Sequence, residues 1–389
     1  MMNKFLIFLI ALFCFKTFVF AQSNVALKQD IRFANACTSG PEVTVSGVGD
    51  ILLHNPLQVQ AFREQSNYRS LWPAMIPVFN RFDVSYANFE GPAAEGLRVN
   101  GQRTSTPGMV WDPSVYTGYP QFNYHPILVS DLLNSGIDVV STANNHSLDR
   151  RALGADLTIQ AMNQYGLRYT GTKPTNNPNQ PWHTMTETND FKIAWLACTF
   201  STNGIPDRES QVLPCFANKQ NLLNIVRQLS QDPQVSAVIV TPHWGDEYTH
   251  FPRANQIQLG RELIEYGATV VLGTHPHVIQ PWEKYVTQSG REGLIVYSTG
   301  NFVSAQTQLP RRIGLMIGVK FVQDQRSRKL NIKSARFLPV LMNHRPYVVS
   351  PVASDTEVNA QTSAVWNDLY HPNQRISNLR NPFAGDCGQ

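Results

Sequence analysis

The chain has 389 residues, of which 42% are hydrophobic and 15% are charged, and its formal net charge at pH 7 is +4. This composition is typical of a globular protein with one large core or two ordinary ones, and it excludes a disordered or collagen-like chain. The near balance of 32 basic and 28 acidic residues gives no reason to expect a nucleic-acid partner, which usually requires a concentrated basic face.

Residues 1–21 have the pattern of a secretory signal peptide. Lys4 precedes an apolar stretch from Phe5 to Phe20, and small or branched residues occupy the positions of Val19 and Ala21 that the peptidase reads. An uncleaved anchor helix is the alternative, but Lys16 interrupts a run shorter than the roughly 20 residues that span a bilayer. We therefore expect an exported protein, periplasmic or secreted after cleavage near Ala21, with no permanent membrane anchor.

Removal of this segment leaves four cysteines, an even number that fits disulfide bonding in an oxidising compartment. Of the three possible pairings we favour Cys198 with Cys215, which are closest in sequence, and Cys37 with Cys387, which lie at the two mature termini. Free buried thiols are the alternative.

Over residues 41–345, β-branched runs first alternate with segments of helical spacing. Strands are predicted at 42–49, 83–89, 137–143, 167–171, 192–200, 236–243, 268–275 and 294–302. Helices are predicted at 70–81, 125–136, 153–166, 218–232 and 254–267. This alternation predicts a layered α/β domain with a largely buried sheet.

After residue 310 the helical spacing stops, and three further strands are predicted at 312–324, 327–343 and 345–351. We expect these strands to complete a second sheet rather than to form a new domain. The polar tail, residues 346–389, is expected to pack on the surface of the domain, with Cys387 as its attachment.

The segment 91–126 is a long irregular interruption that contains Trp111, Tyr116, Tyr119, Phe122 and Tyr124. Loops well beyond about 12 residues inside a compact domain are usually functional or disordered. The aromatic residues favour an ordered loop beside a functional site, and a packed insertion without a functional role is the alternative.

Polar side chains follow most of the predicted strands: Asp50 and His54, Asn88 and Glu90, Asn144, Asn145, His146 and Asp149, His243 and Glu247, His275 and His277, and Ser298 and Asn301. Because the carboxyl ends of parallel strands share one edge of a sheet, we expect these residues to meet in one crevice. In the stretch "THPH", proline and its effect on the preceding residue predict an extended backbone that places His275 and His277 on the same face.

Carboxylates mixed with imidazoles fit Mn, Fe or Zn better than Ca, which prefers oxygen ligands alone. The candidates outnumber the ligands of one tetrahedral ion, so we expect two divalent ions that share a carboxylate. Such a pair can bind an oxyanion and lower the pKa of a coordinated water.

The segments "GDILLH", "ANFEGP", "STANNHSLD", "PHWGDEY", "GTHPHVIQPWE" and "VYSTGNFVS" together resemble the capsule-synthesis CapA family, which is associated with poly-γ-glutamate. These segments occur in the family's order between Val43 and Ser304. The family is similar to calcineurin-like metallophosphoesterases, which implies a four-layer sandwich of two mixed β-sheets flanked by helices.

The resemblance also implies roles for individual residues. Asp50 and His277 would bind a first metal, Asn145, His243 and His275 a second, and Glu90 would bridge the two. His54 replaces a histidine that the superfamily has at the position of Leu52, so it is a further candidate ligand. We assign catalysis to His146, the candidate general acid, and Asp149, and substrate binding to Asn144, Glu247 and Asn301.

These features predict a dinuclear metal hydrolase that acts on phosphoesters and is linked to the synthesis of capsule, poly-γ-glutamate or another anionic polymer. Its expected partners are an anionic polymer or a phosphoester substrate and the capsule-synthesis machinery. Two alternatives remain open. The chain could be an accessory protein that binds polymer without turnover, or a metal-dependent amide hydrolase of γ-linked peptide polymers.

Overall fold

The computed structural model describes residues 25–64, 67–108, 110–354 and 359–385. The predicted signal peptide and Cys387 lie outside these ranges. In the described part, the predicted disulfide between Cys198 and Cys215 is present, with 5.0 Å between the two Cα atoms.

The first β-sheet is mixed and has eight strands, in the order β14-β13-β12-β1-β2-β3-β4, with β11 paired to β1. The strands β1 to β4 and β11 are parallel, and β12 to β14 are antiparallel. Their bounds are β1 Glu42–Leu52, β2 Val84–Phe89, β3 Val139–Ser141, β4 Arg168–Thr170, β11 Asn301–Ser304, β12 Ile313–Gln323, β13 Leu330–Asn343 and β14 Val348–Pro351.

The second sheet is also mixed and has six strands, in the order β5-β6-β7-β8-β10-β9. Its four central strands are parallel, and β5 and β9 are antiparallel edge strands. The bounds are β5 His183–Thr188, β6 Phe191–Thr199, β7 Ala237–His243, β8 Val270–Leu272, β9 Ile279–Val286 and β10 Glu292–Thr299.

Helices cover the outer faces of both sheets. The first sheet is covered by α1 (Asn55–Glu64), α2 (Ile76–Phe79), α3 (Ile127–Leu133) and α4 (Arg151–Tyr165), and the second by α5 (Lys219–Gln231) and α6 (Ala254–Glu265). In α5, for example, Leu222, Val226 and Leu229 recur at helical spacing and are buried against the sheet. Within the described residues, none of the helices has the length and apolarity needed to cross a membrane.

The two sheets pack face to face through an apolar layer. Val45 and Tyr86 of the first sheet meet Ile193 and Trp195 of the second, and the Tyr86 and Trp195 rings stack with centroids 5.5 Å apart. The order of layers is therefore helix, sheet, sheet, helix. This arrangement confirms the predicted α/β sandwich of two mixed sheets flanked by helices.

Some predicted elements differ from the structure. The helix predicted at 70–81 is broken into two 3-10 turns, Tyr68–Leu71 and Pro73–Met75, followed by the four-residue α2. Pro73 and Pro77 each begin a new turn because proline lacks the N–H that a helix interior requires. The elements α1, β5 and β9 were not predicted from the sequence.

The strands after residue 310 do not complete a second sheet as expected. Instead β12 pairs with β1 in antiparallel orientation, so all three strands extend the first sheet. A further helix, α7 (Ala360–Asn367), was also not predicted. It contributes the buried Trp366 to the layer between the sheets, and the nearby Tyr370 hydroxyl donates a hydrogen bond of 2.6 Å to the Gln280 carbonyl.

Candidate metal centre

Strand ends from both sheets meet at one place. Asp50 lies near the end of β1, opposite Asn88 of β2 on one side and Asn301 of β11 on the other. Gly49 permits this close approach, because a Cβ atom there would lie 1.7 Å from the carbonyl oxygen of Gly300. The second sheet brings His243, at the end of β7, to the same point.

Asp50 and two neighbouring side chains form a first group of potential metal ligands. Asp50, Glu90 and His277 are all buried, and each offers a ligand atom within 4.8 Å of the others. The Nδ1 atom of His277 lies 3.2 Å from Oδ2 of Asp50, and its Nε2 atom lies 3.9 Å from Oε1 of Glu90. Burial alone would lower the pKa of His277, but the hydrogen bond to Asp50 and its charge raise that pKa overall.

A second group consists of Glu90, His243 and His275. The Nε2 atom of His243 lies 3.7 Å from Oε1 of Glu90, 3.1 Å from Nδ1 of His275 and 2.9 Å from Oδ1 of Asn145. Burial lowers the pKa of His243 far below its usual range, and neighbouring imidazoles, including that of His146, lower it further. The rings in this group are therefore neutral, which is the form that binds metal.

Glu90 belongs to both groups, and its carboxylate has no hydrogen-bond partner among the described residues although the side chain is fully buried. Burial raises the pKa of this carboxyl well above its usual range, and the nearby carboxylates of Asp50 and Glu247 raise it further. A buried carboxylate without a partner is costly unless a cation compensates it. The donor set thus suits divalent cations, with Glu90 common to two of the ligand groups.

The backbone of the His-Pro-His stretch is not extended, so that expectation is wrong. Strand β8 ends at Leu272, and His275 and His277 both have positive φ, 100° and 57°. The bend is held by a hydrogen bond of 2.7 Å from the Tyr248 N–H to the Pro276 carbonyl. Such conformations cost about 1–3 kcal/mol each and are enriched at functional sites. They bring the two rings to 5.9 Å between centroids, and both face the site.

His146 lies beside these groups without belonging to them. Its Nδ1 atom is 2.7 Å from Oδ2 of Asp149, and the same oxygen accepts a hydrogen bond of 2.7 Å from the N–H of Phe122. The Phe122 ring packs edge-on against His146, with 4.7 Å between centroids. All three residues are buried, so the imidazole has a fixed orientation.

The aromatic segment 91–126 supplies Phe122 and closes this side of the site. Arg150, which is buried, donates hydrogen bonds to Thr117 and to carbonyls of the loop, and Asn123 donates to the carbonyls of Ala94 and Val115. The loop is thus ordered by internal polar contacts, and its inner residues contact the candidate site, as the aromatic residues had suggested.

The two asparagines assigned to substrate binding are engaged within the protein. Asn144 donates a hydrogen bond of 2.7 Å to the Phe89 carbonyl and accepts one of 3.1 Å from the His146 N–H. The amide nitrogen of Asn301 donates to the Arg311 carbonyl at 2.8 Å, and its oxygen lies 2.9 Å from Nδ1 of His277. Both side chains therefore contact residues of the site, and their assignment to substrate binding stays a prediction.

Glu247 belongs to a group of potential metal ligands, whereas His54 does not. Glu247 is exposed at the rim and forms a third potential ligand group with His275 and His277, whereas it had been assigned to substrate binding. His54 is in none of the three groups: its Nδ1 atom lies 3.1 Å from the Leu52 carbonyl. Burial lowers the pKa of His54 to about 4, so the ring is neutral.

Two residues that support the site were not identified as functional. Asn88 donates a hydrogen bond of 2.8 Å to Asp50 and lies 3.2 Å from Nδ1 of His243, which joins the two sheets. The Thr274 hydroxyl lies 2.9 Å from the same Nδ1 atom. Asn88 was among the polar residues at strand ends that were expected to share one crevice, but no role was assigned to it.

Comparison with known proteins assigns the chain to a family. The family model described as "Bacterial capsule synthesis protein PGA_cap" matches residues 44–306. The capsule biosynthesis protein CapA of Bacillus anthracis is 27% identical over 270 residues, which cover 68% of this chain and 60% of that protein. The PGA biosynthesis protein CapA of Bacillus subtilis (strain 168) is 27% identical over 267 residues, covering 68% and 64%.

The chain thus spans about three fifths of the length of these curated relatives. Among solved structures, the NAD nucleotidase of Haemophilus influenzae is similar with a TM-score of 0.45 and 10% identity, over 87% of this chain and 64% of that one. The family match covers most of the two-sheet fold and contains every residue of the three ligand groups, from Asp50 to His277. The chain belongs to the bacterial capsule synthesis protein family PGA_cap.

Proposed function

We propose that this chain is a metal-dependent hydrolase that cleaves phosphoesters in the synthesis of capsule, poly-γ-glutamate or another anionic polymer. The observation that carries the proposal is Glu90, a buried carboxylate with no hydrogen-bond partner among the described residues, shared by two ligand groups. A bound cation would compensate the burial of this carboxylate.

The first ion would be held by Asp50, Glu90 and His277, and the second by Glu90, His243 and His275 with the amide oxygen of Asn145. Carboxylate and imidazole donors suit Mn, Fe or Zn. When bound, such ions polarise a phosphoryl oxygen and lower the pKa of a water molecule.

His146 is placed to exchange a proton with a bound substrate. Because Asp149 accepts the hydrogen bond from Nδ1, the Nε2 atom is left for proton exchange, and it can protonate the leaving oxygen when the ring carries a proton on both nitrogens. Phe122 packs edge-on against this ring. A purely structural metal site would not require such a dyad next to its ligands, which supports a catalytic role over a role in polymer binding alone.

Export and a link to anionic polymers are part of the same proposal. The disulfide between Cys198 and Cys215 fits an oxidising compartment, in agreement with the signal-like pattern of residues 1–21. The two Bacillus relatives are named for capsule and PGA biosynthesis, and this suggests the setting in which the hydrolase acts.

The test is to strip the purified protein with a chelator, reload it with Mn, Fe or Zn, and measure bound metal and hydrolysis of p-nitrophenyl phosphate and bis(p-nitrophenyl) phosphate. We expect two equivalents of metal and metal-dependent turnover. Glu90→Ala should lose metal and turnover, His146→Ala should lose turnover only, and Glu209→Ala, at an exposed position, should lose neither. Full metal content without turnover of either ester would contradict the hydrolase and favour the accessory role.

A further inference from the structure

Arg311 lies at the rim of the candidate metal centre. Its guanidinium carbon is 3.3 Å from the centroid of the Tyr248 ring, which is the distance of a stacked pair. Tyr248 also neighbours His277, whose ring centroid lies 6.0 Å away with an angle of 32° between the ring planes. Tyr248 therefore contacts both Arg311 and a histidine of the ligand groups.

This arrangement is fixed by hydrogen bonds to the centre itself. Asn301 donates to the Arg311 carbonyl at 2.8 Å and at the same time contacts Nδ1 of His277 at 2.9 Å. Tyr248 is tied to the bend between the two site histidines through its N–H, which donates to Pro276. These contacts fix the backbones of Arg311 and Tyr248 beside the ligand groups, and stacking places the guanidinium on the Tyr248 ring.

Arg311 forms no ion pair within the described part of the chain. The arginine ion pairs found there involve Arg32, Arg69, Arg253 and Arg261, and none includes Arg311. Stacking occupies one face of the guanidinium and leaves its N–H groups in the plane, where they can bind a carboxylate or a phosphate in bidentate fashion. The adjacent Arg312 differs, because its Nε atom donates a hydrogen bond of 2.9 Å to the Met342 carbonyl.

We propose that Arg311, stacked on Tyr248, is a specificity-determining residue that binds an acidic group of the substrate next to the group held at the metal centre. The inference rests on the proposed function and deepens it. The preferred substrates carry at least two neighbouring acidic groups, as anionic polymers do. The second group is a carboxylate or a phosphate, since both match the guanidinium.

The test uses three phosphonates of similar size, which are not hydrolysed: propylphosphonate, propane-1,3-diphosphonate and 4-phosphonobutanoate. Their affinities for the metal-loaded protein are measured by isothermal titration calorimetry, and chain integrity is checked by thermal unfolding. Arg311→Met is compared with Arg312→Met, the matched variant one residue away.

Arg311→Met should weaken binding of one or both ligands with a second acidic group by about tenfold or more, and leave propylphosphonate nearly unaffected. Arg312→Met should change none of the three affinities. Loss for the diphosphonate alone identifies a phosphate as the second group, and loss for phosphonobutanoate alone identifies a carboxylate.

Equal losses for all three ligands in Arg311→Met, or equal effects of the two arginine variants, would overturn the proposal and leave the hydrolase intact. Failure of all three ligands to bind the wild-type protein would overturn both the role of Arg311 and the proposed phosphoesterase function. Because binding is measured without turnover, a hydrolase assay that fails does not affect this result.

Discussion

The imidazole of His146 and the carboxylate of Asp149 are joined by a hydrogen bond of 2.7 Å between Nδ1 and Oδ2, and the Phe122 N–H donates to the same oxygen. Asp149 therefore fixes both the tautomer and the direction of the ring. It does so without being a member of any of the three ligand groups, so its contribution to proton transfer can be separated from metal binding.

Asp149→Asn should lower kcat for p-nitrophenyl phosphate by about 10²-fold or more, with little change in KM or in metal content, because the ring loses its charged acceptor. Steady-state kinetics and metal analysis of the same preparation check this. Asp368→Asn serves as the control, because the Asp368 side chain is 80% exposed and far along the chain in the tail. An unchanged kcat in Asp149→Asn would show that the hydrogen bond between His146 and Asp149 does not contribute to catalysis.

Glu90→Gln should have opposite effects on the metal-free and metal-loaded protein. Without metal, the variant should melt at a higher temperature, because an uncompensated buried carboxyl group is replaced by a neutral amide. With metal, it should lose the stabilisation that ions give the wild-type protein, about 2.7 kcal/mol at a concentration of 100 Kd.

Thermal unfolding with and without chelator measures both effects of Glu90→Gln. If metal stabilised the variant as much as the wild type, Glu90 would not be a ligand.

Replacing both Cys198 and Cys215 with alanine should lower the free energy of unfolding by about 3 kcal/mol, because the bond closes a loop of 17 residues. Urea unfolding of the oxidised wild type and the double variant measures this difference. The loop includes Asn203, which accepts a hydrogen bond of 3.2 Å from Asn145, so the variant should also bind the second metal less tightly. Unchanged stability would mean that the bond is absent in the native protein.

His125 should make the protein less stable as the pH falls. Its Nδ1 atom accepts a hydrogen bond of 3.0 Å from the Ile127 N–H, and burial lowers the pKa of the ring below its value in the unfolded chain. The unfolded state therefore takes up a proton first, so stability that is present above about pH 6.5 is lost as the pH falls below it.

His125→Asn keeps an acceptor but cannot titrate, so its unfolding free energy should fall less steeply between pH 7 and 5, by at most about 1.4 kcal/mol per pH unit. Chemical denaturation across this range is the measurement. Above pH 7 the unfolding free energies of the wild type and the variant should change equally with pH, which provides an internal control. Equal slopes below pH 7 would exclude a contribution of His125 to the pH dependence.

The carboxyl ends of the strands were predictable because β-branched runs such as "SAVIVTPH" end where polar residues begin, and parallel sheets place those ends together. The pairing of β12 with β1 could not be predicted, because the alternation of apolar and polar residues in a strand does not indicate which neighbouring strand it joins. Local rules also failed at His275 and His277, where tertiary contacts hold a backbone that proline alone would make extended.

The roles of Asn144 and Asn301 show a different limit. Their residue type and position at strand ends suit both substrate binding and the positioning of neighbouring site residues. Only the structure shows that Asn144 contacts His146 and that Asn301 contacts His277. Arg311 was not noticed in the sequence because it lies in a short 3-10 turn, outside every strand end.

The ligand groups draw on both halves of the chain. Asp50 and Glu90 come from the first sheet, whereas His243, His275 and His277 come from strand ends of the second. Neither of the two groups that share Glu90 is complete within one sheet, so an ion that needs either group can bind only after the sheets have docked. If the chain binds metal as proposed, bound metal therefore reports that the two sheets are correctly assembled.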